Sequence, residues 1–259
     1  MAILALTFAL VATPAAAKPA QAMPFPLRGK VLSLAVYRPS ETPKGTVVMA
    51  SGDVGWVGLA VSMAEFLSDR GYVVIGVNTR QYLTAFTSGK QHMEAQHPPV
   101  DYRALRDFLE QQHLLYRPVV LSGVSEGAAL AVLAASLETN HRWVDGVITM
   151  GTPMVAELAW RWTDFTTWIT KKDANEPSFS PVDFIGQIAP VPIVMIQSKR
   201  DEYVPEADYR KLDATARHPK KLVLIDAANH RFTDKQTELR AEMLAALAWI
   251  AEALPKPPR

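Results

Sequence analysis

The sequence predicts one α/β domain: a mostly parallel sheet with helices on both faces. Three observations predict it. Short β-branched runs recur along the chain and are continuously apolar, as strands buried on both faces must be. Helical segments separate them, which parallel neighbours require. With 259 residues, 49% of them hydrophobic, the chain is long and apolar enough to bury one full-sized core.

Residues 1–22 (MAILALTFALVATPAAAKPAQA) combine an apolar run, Ile3–Ala12, with Ala15-Ala16-Ala17, a small-residue cleavage pattern. The run is too short to span a bilayer, so the expectation is a signal peptide and a periplasmic protein whose mature start lies near Lys18. Zero cysteines fit an exported chain that uses no disulfides. No Lys or Arg precedes Lys18, and a start placed too far downstream would account for the missing basic region.

From residue 23 to 259 the expected domain is single. After a Pro-rich entry, Val31–Tyr37 alternates as an edge strand does, and Arg38–Gly45 is a turn. Thr46–Ala50, Tyr72–Val77, Val119–Leu121, Val144–Met150, Ile193–Ile196 and Leu222–Ile225 are the further strands. The helices fall between them at Leu59–Asp69, which ends at a capping Gly71, then Val100–Gln112 after a Pro-Pro start, Glu126–Leu137, Glu206–Arg217 and Lys235–Ala253. One segment breaks the alternation. Residues 152–188, containing Trp160, Trp162, Phe165, Trp168 and Phe179, are too long for an ordinary connection and predict a helical lid or cap over the strand ends.

Gly123-Val124-Ser125-Glu126-Gly127 is a G-x-S-x-G sequence between a strand and an alanine-rich helix. A serine on so sharp a turn has its hydroxyl raised above the sheet, and the amide of Glu126 at the helix N-terminus faces developing negative charge. The pentapeptide alone is common. A serine hydroxyl also needs a base, and the base needs a carboxylate to orient it. Asp201, in the loop after Ile193–Ile196, and His230, in the loop after Leu222–Ile225, lie at the same carboxyl edge as Ser125 and follow it in the order acid, then histidine. Glu202 and Asp226 are the competing acids.

The loop Ser51–Gly58 (SGDVGWVG) supplies the second half of an oxyanion hole, through amides near Asp53 or Val54. Its spacing, G-x-x-G-x-x-G, differs from the dinucleotide pattern, and Asn78 stands where a ribose-binding acid would be. Trp56, Tyr82, Trp160 and Trp162 are the expected substrate contacts. His92, Glu94 and His97 have an H-x-E-x-x-H spacing that is not the helical zinc pattern, so no metal and no other cofactor is expected. His113, His141 and His218 read as surface residues. A net charge of +1, with acids and bases interspersed, argues against a nucleic-acid partner. Nothing in the sequence defines an oligomeric state.

With these residues in place, the chain resembles the α/β-hydrolase superfamily, and more narrowly the VirJ/AcvB-like family of exported bacterial proteins. The narrower resemblance rests on Ser51–Trp56 (SGDVGW), similar to that family's S-G-D-G-G-W loop, and on Gly71–Leu83 (GYVVIGVNTRQYL), similar to its G-x-x-V-x-G-V-x-x-x-x-Y segment. Val54 departs from the loop's glycine, and Glu126 stands where an aromatic residue is frequent. The resemblance implies a periplasmic serine hydrolase of the α/β-hydrolase fold acting on lysyl-phosphatidylglycerol, an aminoacylated phospholipid, at the membrane surface. Ser125, His230 and Asp201 would carry the chemistry. Two alternatives stand beside it: a carboxylesterase of the dienelactone-hydrolase kind acting on a small soluble ester, and a non-catalytic interaction protein on the same scaffold.

Overall fold

The computed structural model describes residues 20–87, 93–159 and 177–254. The principal sheet is formed by β1 (Gln21–Leu27), β2 (Lys30–Tyr37), β3 (Gly45–Ala50), β4 (Tyr72–Val77), β5 (Val119–Val124), β6 (Gly146–Met150), β9 (Ile193–Ser198) and β10 (Lys220–Ile225). Its order is β1-β2-β4-β3-β5-β6-β9-β10, antiparallel through β1, β2 and β4 and parallel from β4 to β10. Between β6 and β9 lies a small ribbon, β7 (Ala156–Glu157) paired with β8 (Ser178–Phe179). The fold class is therefore the one the apolar runs predict.

Side chains alternate across the sheet and feed two cores. Val47, Met49, Val120 and Ile148 point to one face, where α1 (Leu59–Asp69) contributes Met63 and Leu67 and the C-terminal α7 (Gln236–Ala253) contributes Met243, Leu247 and Ile250. Val48, Leu121 and Val147 point to the other. That face is covered by α3 (His97–Gln111), α4 (Glu126–Ala135) and the short α5 (Val182–Ile185). Helix α4 is sandwiched so fully that Gly127–Ala135 are all buried, which explains its unbroken small-residue sequence. Among the described residues the remaining α-helices are α2 (Thr79–Phe86) and α6 (Glu206–Thr215).

Two expectations need correction, and one helix is additional. Val31–Tyr37 lies in a strand, but β2 is internal, paired with β1 on one side and β4 on the other. The edge is β1, in the stretch read as a Pro-rich entry. Pro24 and Pro26 lack an N–H, which an edge strand tolerates because its outer donors need no partner. Strand β1 starts at Gln21, inside the last two residues of the expected 1–22 leader; the rest of that leader lies outside the described residues, apart from Ala20. Helix α2 was not anticipated. It starts because the Asn78 side chain caps it, accepting a hydrogen bond from the Gln81 amide at 3.1 Å.

The ends of the expected lid are packed structure. Ala156, Leu158 and Phe179 are buried in the core on the α4 face, and the Phe179 ring meets Phe184 edge-on at 5.9 Å. Trp162, Phe165 and Trp168 lie outside the described residues, as does Trp160.

Candidate active site

Strand β5 runs directly into Ser125, which adopts φ 55° and ψ −122° and begins α4. For a residue with a side chain this is a strained conformation, and the surrounding glycines permit it. A Cβ on Gly123 would stand 2.1 Å from the Gly127 carbonyl, and one on Gly127 would stand 2.3 Å from the Ser51 carbonyl oxygen. Only glycine fits at either position. The Ser125 amide donates to the Met150 carbonyl at 2.9 Å, which ties the turn to the end of β6.

The next residue along β6, Gly151, is the floor beneath the histidine. Gly151 has φ +63°, and a Cβ there would stand 2.6 Å from His230 Cε1. The imidazole thus lies against the residue adjoining the one that anchors Ser125. His230 is buried. Its Nδ1 is 2.7 Å from Asp201 Oδ2. An ionised carboxylate only accepts, so the proton lies on Nδ1, and a neutral imidazole so held has its lone pair on Nε2, the tautomer a general base needs. Nε2 is sealed from solvent and has no hydrogen-bond partner, so the Ser125 hydroxyl is not bonded to it.

Asp201 is held at its other oxygen. Oδ1 accepts the amides of Tyr203 at 2.9 Å and Val204 at 3.0 Å. The competing acids do different work: Glu202 Oε2 accepts the backbone amide of His230 at 2.8 Å, and the exposed Asp226 lies 3.5 Å from Arg200 Nε. Tyr203, half exposed, sets its ring edge-on to His230 at 5.3 Å. Neither Gly151 nor Tyr203 was marked by the sequence, because each acts only through a neighbour brought close by folding.

The Ser51–Gly58 loop closes the other side. Ser51 is buried and fixed to α2, its hydroxyl accepting the Thr79 amide at 3.2 Å and its carbonyl accepting the Thr79 hydroxyl at 2.5 Å. A Cβ on Gly52 would stand 3.5 Å from the Ser125 Cβ, so the loop backbone passes over the serine. Val54 is exposed. The Glu126 carboxyl turns back into this space. Burial first, and the Asp53 carboxylate second, push its pKa above the ordinary glutamate value, while the Ser125 hydroxyl and the amides of Glu126 and Asp53 favour its charged form. None of these contacts reaches full hydrogen-bond geometry at Oε2, which is sealed from solvent without a partner.

Two expected substrate contacts belong elsewhere. Trp56 packs on the sheet: its ring lies over Gly76, and its Nε1 donates to the Tyr37 hydroxyl at 3.1 Å. Tyr82 is buried under the β1–β2 hairpin, where its hydroxyl donates to Asp101 at 2.6 Å and Arg28 closes on the same carboxylate at 2.8 Å. It lines a narrow cavity with Phe25, Leu34 and Tyr102, away from Ser125. Amphipathic placement on α2 decides this, since Tyr82, Leu83 and Phe86 share the buried face. His97 accepts the Glu94 amide through Nδ1 at 2.9 Å, which makes it part of the α3 entry, and no metal-ligand cluster occurs among the described residues.

An open, largely parallel sheet with a serine on a strand-to-helix elbow, and an acid and a histidine in loops after later strands, is the α/β-hydrolase fold. Residues 45–249 match the family described as bacterial virulence protein VirJ, and the chain belongs to that family. Among solved structures it is similar to the esterase domain of a Rhodothermus marinus protein, at 20% identity and TM-score 0.62, over 90% of this chain and 98% of that one. It is also similar to a putative dienelactone hydrolase from Klebsiella pneumoniae subsp. pneumoniae MGH 78578, at 15% identity and TM-score 0.67, over 88% and 98%. A curated relative, "Uncharacterized protein YfhR" of Escherichia coli (strain K12), is 30% identical over 71 residues, and the match spans 25% of its length and 27% of this chain.

Proposed function

We propose that the protein is a serine hydrolase that cleaves a carboxylic ester through an acyl-enzyme. The observation that carries this is the Asp201–His230 pair, its Nε2 unpartnered, set against the residue adjoining the anchor of a strained serine. His230 takes the Ser125 proton as Oγ bonds to the ester carbonyl carbon. The carbonyl oxygen becomes an oxyanion facing the amides of Glu126 and Asp53, and Asp201 stabilises the imidazolium. Collapse breaks the ester bond and the alcohol leaves with the proton from His230. Water, activated by the same imidazole, then releases the acid and restores Ser125.

For the substrate, membership of the VirJ family supports lysyl-phosphatidylglycerol, whose aminoacyl ester this chemistry would hydrolyse, and the 1–22 segment supports action in the periplasm. A small soluble ester is the second reading, favoured by the likeness to a putative dienelactone hydrolase. The experiment has two parts. Fluorophosphonate labelling of the wild type against Ser125→Ala tests the nucleophile: labelling that persists in the variant, or is missing from both, ends the enzyme reading. Incubation with lysyl-phosphatidylglycerol, alanyl-phosphatidylglycerol and p-nitrophenyl acetate tests the substrate, and turnover of the activated ester alone removes the lipid.

A further inference from the structure

The mechanism above uses the amide of Glu126 and leaves its side chain unexplained. Oε2 lies 4.0 Å from the point where a Cβ on Gly52 would stand, and that same point is 3.5 Å from the Ser125 Cβ. The carboxyl therefore sits beside the nucleophile, with one oxygen covered and unpartnered. The neighbouring charge that acts on it most strongly is another acid, Asp53.

A carboxylate in this position opposes the cleavage of a neutral ester. The tetrahedral intermediate puts a second negative charge on the former carbonyl oxygen, which is bonded to a carbon held by Ser125 and therefore lies close to the Glu126 carboxyl. A substrate that brings a positive charge with it removes this conflict. In the ester of an α-amino acid, the ammonium nitrogen is two bonds from the carbonyl carbon. A carbonyl seated over Ser125 then carries that ammonium to the edge of the oxyanion hole, where its three donors meet an acceptor that has no partner.

We infer that Glu126 is a specificity-determining residue: its carboxylate is the counter-ion for an ammonium group on the acyl side of the ester, and it disfavours esters that lack one. This rests on Ser125 being the nucleophile. It is independent of what alcohol the substrate carries, lipid or otherwise.

The test compares wild type and Glu126→Gln on two p-nitrophenyl esters of nearly equal shape, those of alanine and of isobutyric acid, which differ by an ammonium in place of a methyl. Amino esters react faster intrinsically, so the quantity read is the change in the ratio of kcat/KM values on substitution. The expected result is at least a tenfold fall in the alanine-to-isobutyrate ratio, with the isobutyrate ester gaining in absolute rate and Glu126→Asp recovering part of the preference. A parallel loss on both esters, as from a carboxylic acid that donates to the oxyanion or merely packs, overturns the inference. So does an unchanged ratio. Fluorophosphonate labelling of the same preparations keeps the two readings apart: labelled enzyme with an unchanged ratio removes only the role of Glu126, whereas wild type that neither labels nor turns over either ester removes the hydrolase reading and this one with it.

Discussion

At the residue scale, the sequence marks the groups proposed to do the chemistry and misses the neighbours that position them. Ser125, Asp201 and His230 stand out in the sequence because a hydrolytic triad would impose residue types, an order and a place at the strand ends, all of which survive in one dimension; the fold joins Asp201 to His230. Between Asp201 and Glu202 the sequence left a choice; folding resolves it by directing one carboxylate to the imidazole and the other to the backbone of the same histidine. Gly151 was invisible because its requirement comes from a ring dozens of residues away. Gly151→Ala must relieve both a positive φ and a Cβ placed 2.6 Å from the imidazole, so His230 will shift. We expect kcat to fall by about tenfold or more, since misplacing a base by about 1 Å costs roughly two orders of magnitude, with the far-ultraviolet circular dichroism spectrum retained. Asp201→Asn tests the tautomer instead. An amide side chain can offer its NH₂ to Nδ1 and leave the proton on Nε2, and kcat is expected to fall by about 10³- to 10⁴-fold while KM changes little. Full activity in that variant would mean the pair only holds the loop.

At the element scale, the continuously apolar strands were the most readable part of the chain and their ends the least. Strand β5 was placed at Val119–Leu121 but continues to Val124, because Ser122 and Gly123 are polar or small yet fully enclosed by β3 and β6. Strand β1 was unreadable since prolines ordinarily argue against a strand, and only its place at the edge makes them harmless. The start of β5 carries a device the sequence also hid. Asp145 is almost fully buried, accepts the Val119 amide at 2.7 Å and pairs with Arg117, so it fastens the loop before β6 to the entry of the strand that leads into Ser125. Asp145→Ala leaves that amide buried without an acceptor. The expected loss is about 2–3 kcal/mol of unfolding free energy, read as a lower urea midpoint, with Asp145→Asn recovering roughly half. A loss below about 0.5 kcal/mol in the alanine variant would show that water replaces the carboxylate there.

At the scale of the whole molecule, the site and the stability of the fold pull in opposite directions at Glu126. The fold places this carboxyl against covered backbone and a second acid, and the result is a pKa raised chiefly by burial and then by Asp53. A carboxyl with a raised pKa binds its proton more tightly in the native state than in the unfolded chain. Its contribution is therefore complete below the ordinary glutamate value of 4.5 and is lost as pH climbs through the raised native value. Glu126→Gln carries no such charge at any pH. The variant should match the wild type in acid, where both side chains are neutral, and become progressively more stable than it as pH rises, until the native carboxyl is fully ionised and the difference levels off. Urea midpoints for the two proteins across this range measure it directly. Titrating groups that do not interact with Glu126 cancel in the difference, so the comparison reports this side chain together with the Asp53 charge coupled to it. A difference that does not change with pH would show that Glu126 is as well solvated in the fold as out of it, and its covered oxygen would then need another explanation. A difference that grows with pH would locate a destabilising charge beside the nucleophile, the trade between stability and activity expected of a working site.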